Sequence, residues 1–387
     1  MKRIAINIGS GYVPGLDAVV AGAAIAAQNA GLEIVGIRDG YDGLLVPDRY
    51  PDGGLLELVP RSLDAAGSRG SVLGTAARQD PFRVRTVTAD GAVEEVDRSD
   101  DLLGRLAQCG IEAMISVVGG SAITGLHALS VAFKLQRKGL ATVCVPKSVE
   151  NEIAGVPLAF GYNSVLAHVT ETLDRIRVGA RDAGRLAVVE VPGQHAGWLA
   201  LQSGMATLAD AVLIPEIAYD VASIAAALDA RERAGRPPAL VVVAEGARSR
   251  DGMHGVAAAA DPMRSSLAPN ADPALGEGER VIDRTGAVAH AVATAIQRAT
   301  DREVMPMSVG LLARGGAPTA LDRQLGLAYG AAAVRALNGG ESGVLVAFQP
   351  PDVRSVPLAE ALNRVRGVPA GSELMNVARA LGIAFGD

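Results

Sequence analysis

Apolar residues fall along this chain in short, nearly unbroken runs that alternate with longer amphipathic stretches. Such runs occupy positions 3–8, 111–118, 140–145, 185–191, 240–244, 304–309 and 343–348. The first alternates and is β-rich, the others are nearly continuous, and all are too short for a buried helix, so together they predict strands of parallel sheets covered on both faces. Between them lie helical patterns, such as the Ala-rich run that ends at Ala30 and the one that ends at Lys138. The expected class is therefore α/β, with mostly parallel sheets in two Rossmann-like three-layer lobes. The length of 387 residues agrees, because a single core stops growing at roughly 250 to 300 residues.

Charge and composition narrow the partners. The formal charge is -6 and aromatics make up 3% of the chain, whereas a nucleic-acid surface needs a basic stripe with stacking rings. No nucleic acid is expected. No apolar run approaches the roughly 18 residues of a membrane helix, and the N-terminal apolar stretch breaks at Asn7 and Gly9, so a cytoplasmic protein with no membrane contact is expected. Cys109 and Cys144 have no metal-ligand spacing and read as buried free thiols. His127, His168, His254 and His290 read as structural, and Asp174 with Arg177 as a surface pair on a helix. The segment 247–279 is rich in Gly, Ala, Pro and Ser and reads as a long surface excursion.

Three loops carry candidate chemistry. Gly9-Ser10-Gly11-Tyr12-Val13-Pro14-Gly15 follows the first predicted strand and opens a helix, where backbone N–H groups make an anion site. Its G-x-G-x-x-x-G spacing makes a dinucleotide loop the weaker reading. Gly119-Gly120-Ser121-Ala122-Ile123-Thr124-Gly125 repeats the arrangement, and two anion cradles point to a polyphosphate. The third loop, running from Val145 to Gly155, places Lys147, Ser148, Glu150 and Glu152 directly after a strand. Ligands of open parallel sheets bind at strand C-termini, where a lysine neutralises phosphate and a carboxylate takes a proton from an attacking hydroxyl.

At this third loop the chain resembles the phosphofructokinase family, and within it the pyrophosphate-using and actinobacterial-type branch, whose loop reads P-K-T-I-D-N-D. Further matches are Val189-Glu190-Val191-Pro192-Gly193-Gln194-His195-Ala196-Gly197-Trp198, Leu213-Ile214-Pro215-Glu216, Ala244-Glu245-Gly246, and the stretch from Arg314 to Arg323 that resembles R-G-G-T-P-T-A-F-D-R. The resemblance implies a phosphotransferase fold with a donor-phosphate lobe at 1–161 plus 313–365 and an acceptor lobe at 162–312 plus 366–387. It implies Glu150 and Lys147 as catalytic residues, and Gly11, Arg78, Gly119, Gly120, Ser121 and Lys147 around the donor phosphates. Ser148, Glu150, Arg185, Gly193, Gln194, Glu245 and Arg314 then face the acceptor, and Glu152 assists Mg²⁺. The donor is pyrophosphate, with ATP as the second choice. Arg185 stands where the family lends an arginine to a neighbouring subunit, which implies a homo-oligomer, a dimer or tetramer.

Several family residues are changed. Tyr12, Ser121 and Ala122 replace loop acids, Glu150 and Glu152 replace aspartates, Gln194 replaces an arginine, and Met305 and Leu311 replace a cation and a histidine that bind phosphate in the family. The acceptor is therefore expected to be a sugar, polyol or nucleoside-like alcohol other than fructose 6-phosphate, which should bind only weakly. The alternative is a catalytically silent or repurposed protein of the same fold, acting as a ligand-binding or regulatory subunit. Tyr41 stands where some ATP-dependent relatives stack adenine, or else is a packed aromatic. His195 is expected to cap or pack rather than catalyse.

Overall fold

The computed structural model describes residues 1–9, 11–59, 70–75, 80–87, 91–119, 128–252 and 286–387. The chain divides into two units, Met1–Ser164 with Ala317–Arg366, and Val165–Gly316 with Gly367–Asp387. In chain order the first stretch supplies β1 (Arg3–Ile8), α1 (Leu16–Asn29), β2 (Glu33–Ile37), α2 (Asp42–Leu45) and β3 (Leu55–Glu57). It continues with β4 (Val84–Val87), β5 (Val93–Val96), α3 (Ser99–Gln108), β6 (Ala113–Gly119), α4 (Ala128–Arg137) and β7 (Ala141–Lys147). The chain then crosses through α5 (Tyr162–Asp182) to β8 (Leu186–Val191), α6 (Trp198–Ala206), β9 (Ala211–Leu213), α7 (Val221–Arg233) and β10 (Leu240–Ala244). After α8 (Ala287–Ala299) and β11 (Val304–Ser308) come α9 (Ala320–Asn338), β12 (Val344–Gln349), β13 (Asp352–Pro357), α10 (Leu358–Ala361) and α11 (Glu373–Ala380).

The first unit is built on a seven-stranded sheet ordered β13-β12-β7-β6-β1-β2-β3. Its interior pairs are parallel, and only the edge pairs β12–β13 and β2–β3 are antiparallel. Ile4, Ala5, Ile6 and Ile8 are fully buried, as expected when helices cover both faces of a strand. The Ala/Gly-rich pattern of α1 has a packing cause. A Cβ added at Gly22 would lie 2.3 Å from the Leu327 carbonyl oxygen, and one at Gly330 would lie 2.2 Å from that of Val19, so α1 and α9 meet backbone to backbone. Strands β4 and β5 form a separate hairpin.

In the second unit a four-stranded parallel sheet runs β11-β8-β10-β9. Val188, Val241 and Val243 pack there against Ile224 and Leu228 of α7 and Val292 and Ile296 of α8. Glu190 breaks the apolar run of β8 for a reason. Its carboxylate accepts from Gly286 N at 2.6 Å, Val288 N at 2.9 Å and Ala289 N at 3.2 Å, capping the start of α8.

Two expectations need correction. Cys144 is buried but Cys109 is only half-buried. Arg177 is not a surface partner of Asp174; it is half-buried and donates through Nη1 to the Thr207 carbonyl, and burial lowers its pKa. A helical spacing alone cannot foresee an acceptor on another element.

Candidate functional site

Register brings the starting points of the three loops to one end of the first unit's sheet. Ile8 pairs with Val117 and Gly119 with Lys147, so β1, β6 and β7 end side by side. Lys147 turns inward there with 2% exposure. Its Nζ donates to Gly9 O at 2.7 Å and to Gly11 O, fastening the glycine loop from beneath. Gly11, at φ 86°, occupies the left-handed region that favours glycine. From above, the 70–75 segment closes on the same loop: Gly11 N donates to Thr75 O at 3.3 Å, Gly70 N to the Tyr12 hydroxyl at 3.2 Å, and Val72 N to Asp17 Oδ1 at 2.9 Å. Tyr12, the replacement for a loop acid, thus becomes a loop-to-loop tie.

The loop after β7 is organised around the Ser148 hydroxyl. Ser148 Oγ accepts from Glu150 N and Asn151 N, both at 2.9 Å, and donates to a carboxylate oxygen of Glu152. Asn151, at φ 58°, holds its strained backbone by accepting from Ala159 N at 3.0 Å and donating to Pro157 O at 3.1 Å; Asn tolerates this region better than most residues. Ser148, Asn151 and Glu152 are buried, while Glu150 is half-buried. Among the described residues no three His, Cys, Asp or Glu side chains cluster to hold a metal. One or two carboxylates can suffice for Mg²⁺ that arrives on phosphates; Glu152, the residue the sequence points to, is buried here and accepts from Ser148.

The second unit assembles its own strand-end group. Val191 pairs with Ala244 and Glu190 with Ser308, which sets the turn at Gly193 and Gln194, the residue Glu245, and the 3₁₀ turn Gly310–Arg314 at one end of the sheet. Gly246 N donates to Gly193 O at 3.1 Å and Val309 N to Glu190 O at 2.9 Å. A Cβ at Gly246 would lie 2.1 Å from Gln194 O, so the residue after Glu245 has no room for a side chain. Gln194 is exposed, and Glu245 and Arg314 are half-buried. Leu311 and Leu312 on the 3₁₀ turn are 77% and 73% exposed. Behind it, His168 Nδ1 lies 3.4 Å from Ala313 O.

Arg185 stands apart from this group. It precedes β8 at the opposite end of the strands, ion-paired to Glu303 at 2.8 Å, and six strand residues put it roughly 20 Å from Gln194. Arg78, Gly120 and Ser121 lie outside the described residues, as does most of the 247–279 excursion. Tyr41 is 6% exposed and packs in the core with Leu44, Leu102 and Met114. Burial raises its pKa, with Asn7 and Ser116 as hydrogen-bonding neighbours that oppose the shift, so Tyr41 is the packed aromatic. His195 is half-buried, and burial, then Arg248, lowers its pKa.

Sequence reading missed Arg366, Tyr12 as a tie, and Asp322. The last had a local signal: Thr319-x-x-Asp322 is a capping pattern, and Thr319 Oγ1 accepts from Asp322 N at 3.4 Å. Arg366 had none, for its partners lie more than 200 positions away.

Residues 3–337 match the family model described as Phosphofructokinase. A protein of Chloroflexus aurantiacus named ATP-dependent 6-phosphofructokinase is 33% identical, over 100% of this chain and 98% of its own. One of Spirochaeta thermophila with the same name is 34% identical, over 100% and 98%. Among solved structures, phosphofructokinase from Saccharomyces cerevisiae gives a TM-score of 0.72 at 24% identity and covers 98% of this chain, which spans 47% of that one. A pyrophosphate-dependent phosphofructokinase from Marinobacter aquaeolei gives 0.70 at 18% identity, covering 99% of this chain and 92% of its own.

Proposed function

Because this chain belongs to the phosphofructokinase family, whose members are kinases that transfer phosphate to a sugar hydroxyl, we propose that it moves the terminal phosphoryl group of a polyphosphate onto a hydroxyl of a sugar-like acceptor. The loop after β7 carries this reading: a half-buried carboxylate, Glu150, stands on a backbone immobilised by Ser148 and Asn151, one loop away from a lysine-backed glycine cradle. Such preorganisation is what proton transfer requires.

Glu150 takes the proton from the acceptor hydroxyl as that oxygen attacks the terminal phosphorus. The bond from phosphorus to the bridging oxygen breaks, and the donor leaves as the shortened phosphate. Gly11 and Gly119, with Gly120, Ser121 and Arg78 outside the described residues, hold the donor's phosphates, and Lys147 supplies positive charge from beneath. Mg²⁺ bound to the donor would neutralise charge on the phosphate oxygens, with Glu152 as the carboxylate that would help hold it. Pyrophosphate is the preferred donor, since Lys147 follows the pyrophosphate-type loop and the burial of Tyr41 removes an adenine platform. ATP is the second reading, favoured by the names of the full-length relatives.

Gly193, Gln194, Glu245, Arg314 and Ser148 recognise the acceptor. Leu311, exposed where the family has a phosphate-binding side chain, favours an alcohol with less negative charge than fructose 6-phosphate, because each charge-assisted phosphate contact contributes roughly 1.5 to 3 kcal/mol. Arg185, at the far end of its sheet, serves the site of a second copy, so the working form is a homo-oligomer. The enzyme works in the cytoplasm.

Turnover with pyrophosphate and ATP against fructose 6-phosphate and a panel of unphosphorylated sugars and polyols tests the reading. Wild type should be active, and Glu150→Gln should lower kcat by roughly 10² to 10⁴ with donor KM unchanged. No turnover with any pair, and no thermal-shift response to either donor, would replace it with a silent binding subunit.

A further inference from the structure

Arg366 ends the first unit, and its contacts fall on the loop that carries Glu150. Its main-chain N–H donates to Glu152 O at 2.7 Å, and its Nη1 donates to Asn151 O at 3.0 Å. The residue before it, Val365, makes an antiparallel bridge with Ile153. The 365–366 stretch therefore lies along 151–153 like a short added strand. The side chain is half-buried, and burial lowers its pKa, with Tyr162 opposing, so the guanidinium has given up part of its hydration to reach a carbonyl.

The local backbone explains why a cation is placed there. Asn151 has φ 58°, a conformation L residues hold only when the surroundings over-determine it. Ser148 Oγ secures the N–H groups of Glu150 and Asn151, and the Asn151 side chain secures the return of the loop at 157–159. These bonds leave the two carbonyls that follow Glu150, and Arg366 accounts for both. A turn of the peptide after Asn151 toward the right-handed region would swing Glu150 with it, and a displacement on the order of 1 Å costs about 10²-fold in rate.

We infer that Arg366 is a positioning residue for Glu150, its guanidinium and main-chain N–H locking the peptide units after that carboxylate in the geometry that aims it at the acceptor hydroxyl. This rests on Glu150 being the general base. Arg366 acts on the loop and not on the donor, so its loss should appear in kcat and leave donor KM unchanged.

The test is a double-mutant cycle on the full-length protein. Arg366→Gln, Arg366→Lys, Glu150→Gln and the double variant Arg366→Gln/Glu150→Gln are assayed with Mg²⁺, pyrophosphate or ATP, and whichever acceptor wild type turns over. Arg366→Gln should lower kcat by about 10- to 100-fold with donor KM within twofold. Arg366→Lys, which keeps one cationic donor, should recover part of that loss, and amide exchange at 151–153 should quicken in both variants that carry Arg366→Gln but not in Glu150→Gln. In the Glu150→Gln background, Arg366→Gln should cost nothing further, because the group it positions is gone. Equal losses in both backgrounds would overturn the role of Arg366 while keeping Glu150 as base. Wild type inert with every pair, or Glu150→Gln as fast as wild type, removes the base and the inference with it.

Discussion

The ammonium group of Lys147 donates to the Gly9 carbonyl at 2.7 Å across 138 positions of sequence, joining the ends of β7 and β1. A cation this buried is a loop fastener, and under the proposed function it is also the charge beneath the donor's phosphates. Lys147→Met should lower stability by about 1 to 3 kcal/mol, the cost of leaving carbonyls without a donor, and should abolish the thermal shift that pyrophosphate gives wild type. Urea unfolding and a pyrophosphate titration read the two effects. A full shift in the variant would make Lys147 structural only.

Glu190 accepts three N–H bonds at the start of α8, and its own carbonyl accepts from Val309 just before the turn that carries Arg314. Glu190→Ala leaves those donors without an acceptor and should cost about 2 to 4 kcal/mol in urea unfolding. Glu190→Gln, which retains one acceptor oxygen, should lose less. Equal losses would mean that packing, not capping, matters at this position.

The contact between α1 and α9 has no space for a methyl group. Gly330→Ala forces a carbon to 2.2 Å from the Val19 carbonyl, so the helices must part, at about 3 kcal/mol. Gly104→Ala, in a helix where nothing lies within 4 Å, should instead stabilise slightly by helix propensity. Parallel thermal melts of the two variants check the pair, and a tolerated Gly330→Ala would contradict the backbone contact.

Alkaline pH should weaken the fold through its buried phenols. Burial raises the pKa of Tyr41, Tyr162 and Tyr219, and that of Tyr329 is pushed up to about 12. In the unfolded chain these groups ionise near their ordinary value of about 10. Their contribution is thus fully present below that pH and is lost as pH rises from there toward the folded values. Urea midpoints should be level from pH 7 to 9 and then fall, and Tyr41→Phe should give a shallower fall whatever its starting stability. An unchanged slope would show that Tyr41 ionises normally in the native state.

Elements with local causes and elements with distant causes differ in how far their sequence reveals them. The strands at 3–8 and 240–244 lie where the apolar runs place them, because a short, mostly Val/Ile/Leu/Ala run is buried most readily as a strand between two layers. The edge strands β3 and β13 were not legible: LLE and DVRSVP are partly exposed and owe their state to a neighbour. Tyr41 shows the same limit, since a lone aromatic after a glycine suits a binding loop as well as a core.

Sequence alone determined the α/β class and the three loops after β1, β6 and β7, because periodicity, glycine turns and capping patterns act over a few residues. It also carried the family resemblance, which the match over residues 3–337 bears out. Tertiary structure alone decided what each charged side chain does: Lys147 beneath the glycine loop, Arg177 on Thr207, Arg366 on Asn151, and Arg185 at the far end of its sheet. A charge is stable only where strand register and chain crossings bring it a partner, and those partners stand 30 to 215 positions away, beyond the reach of any local pattern.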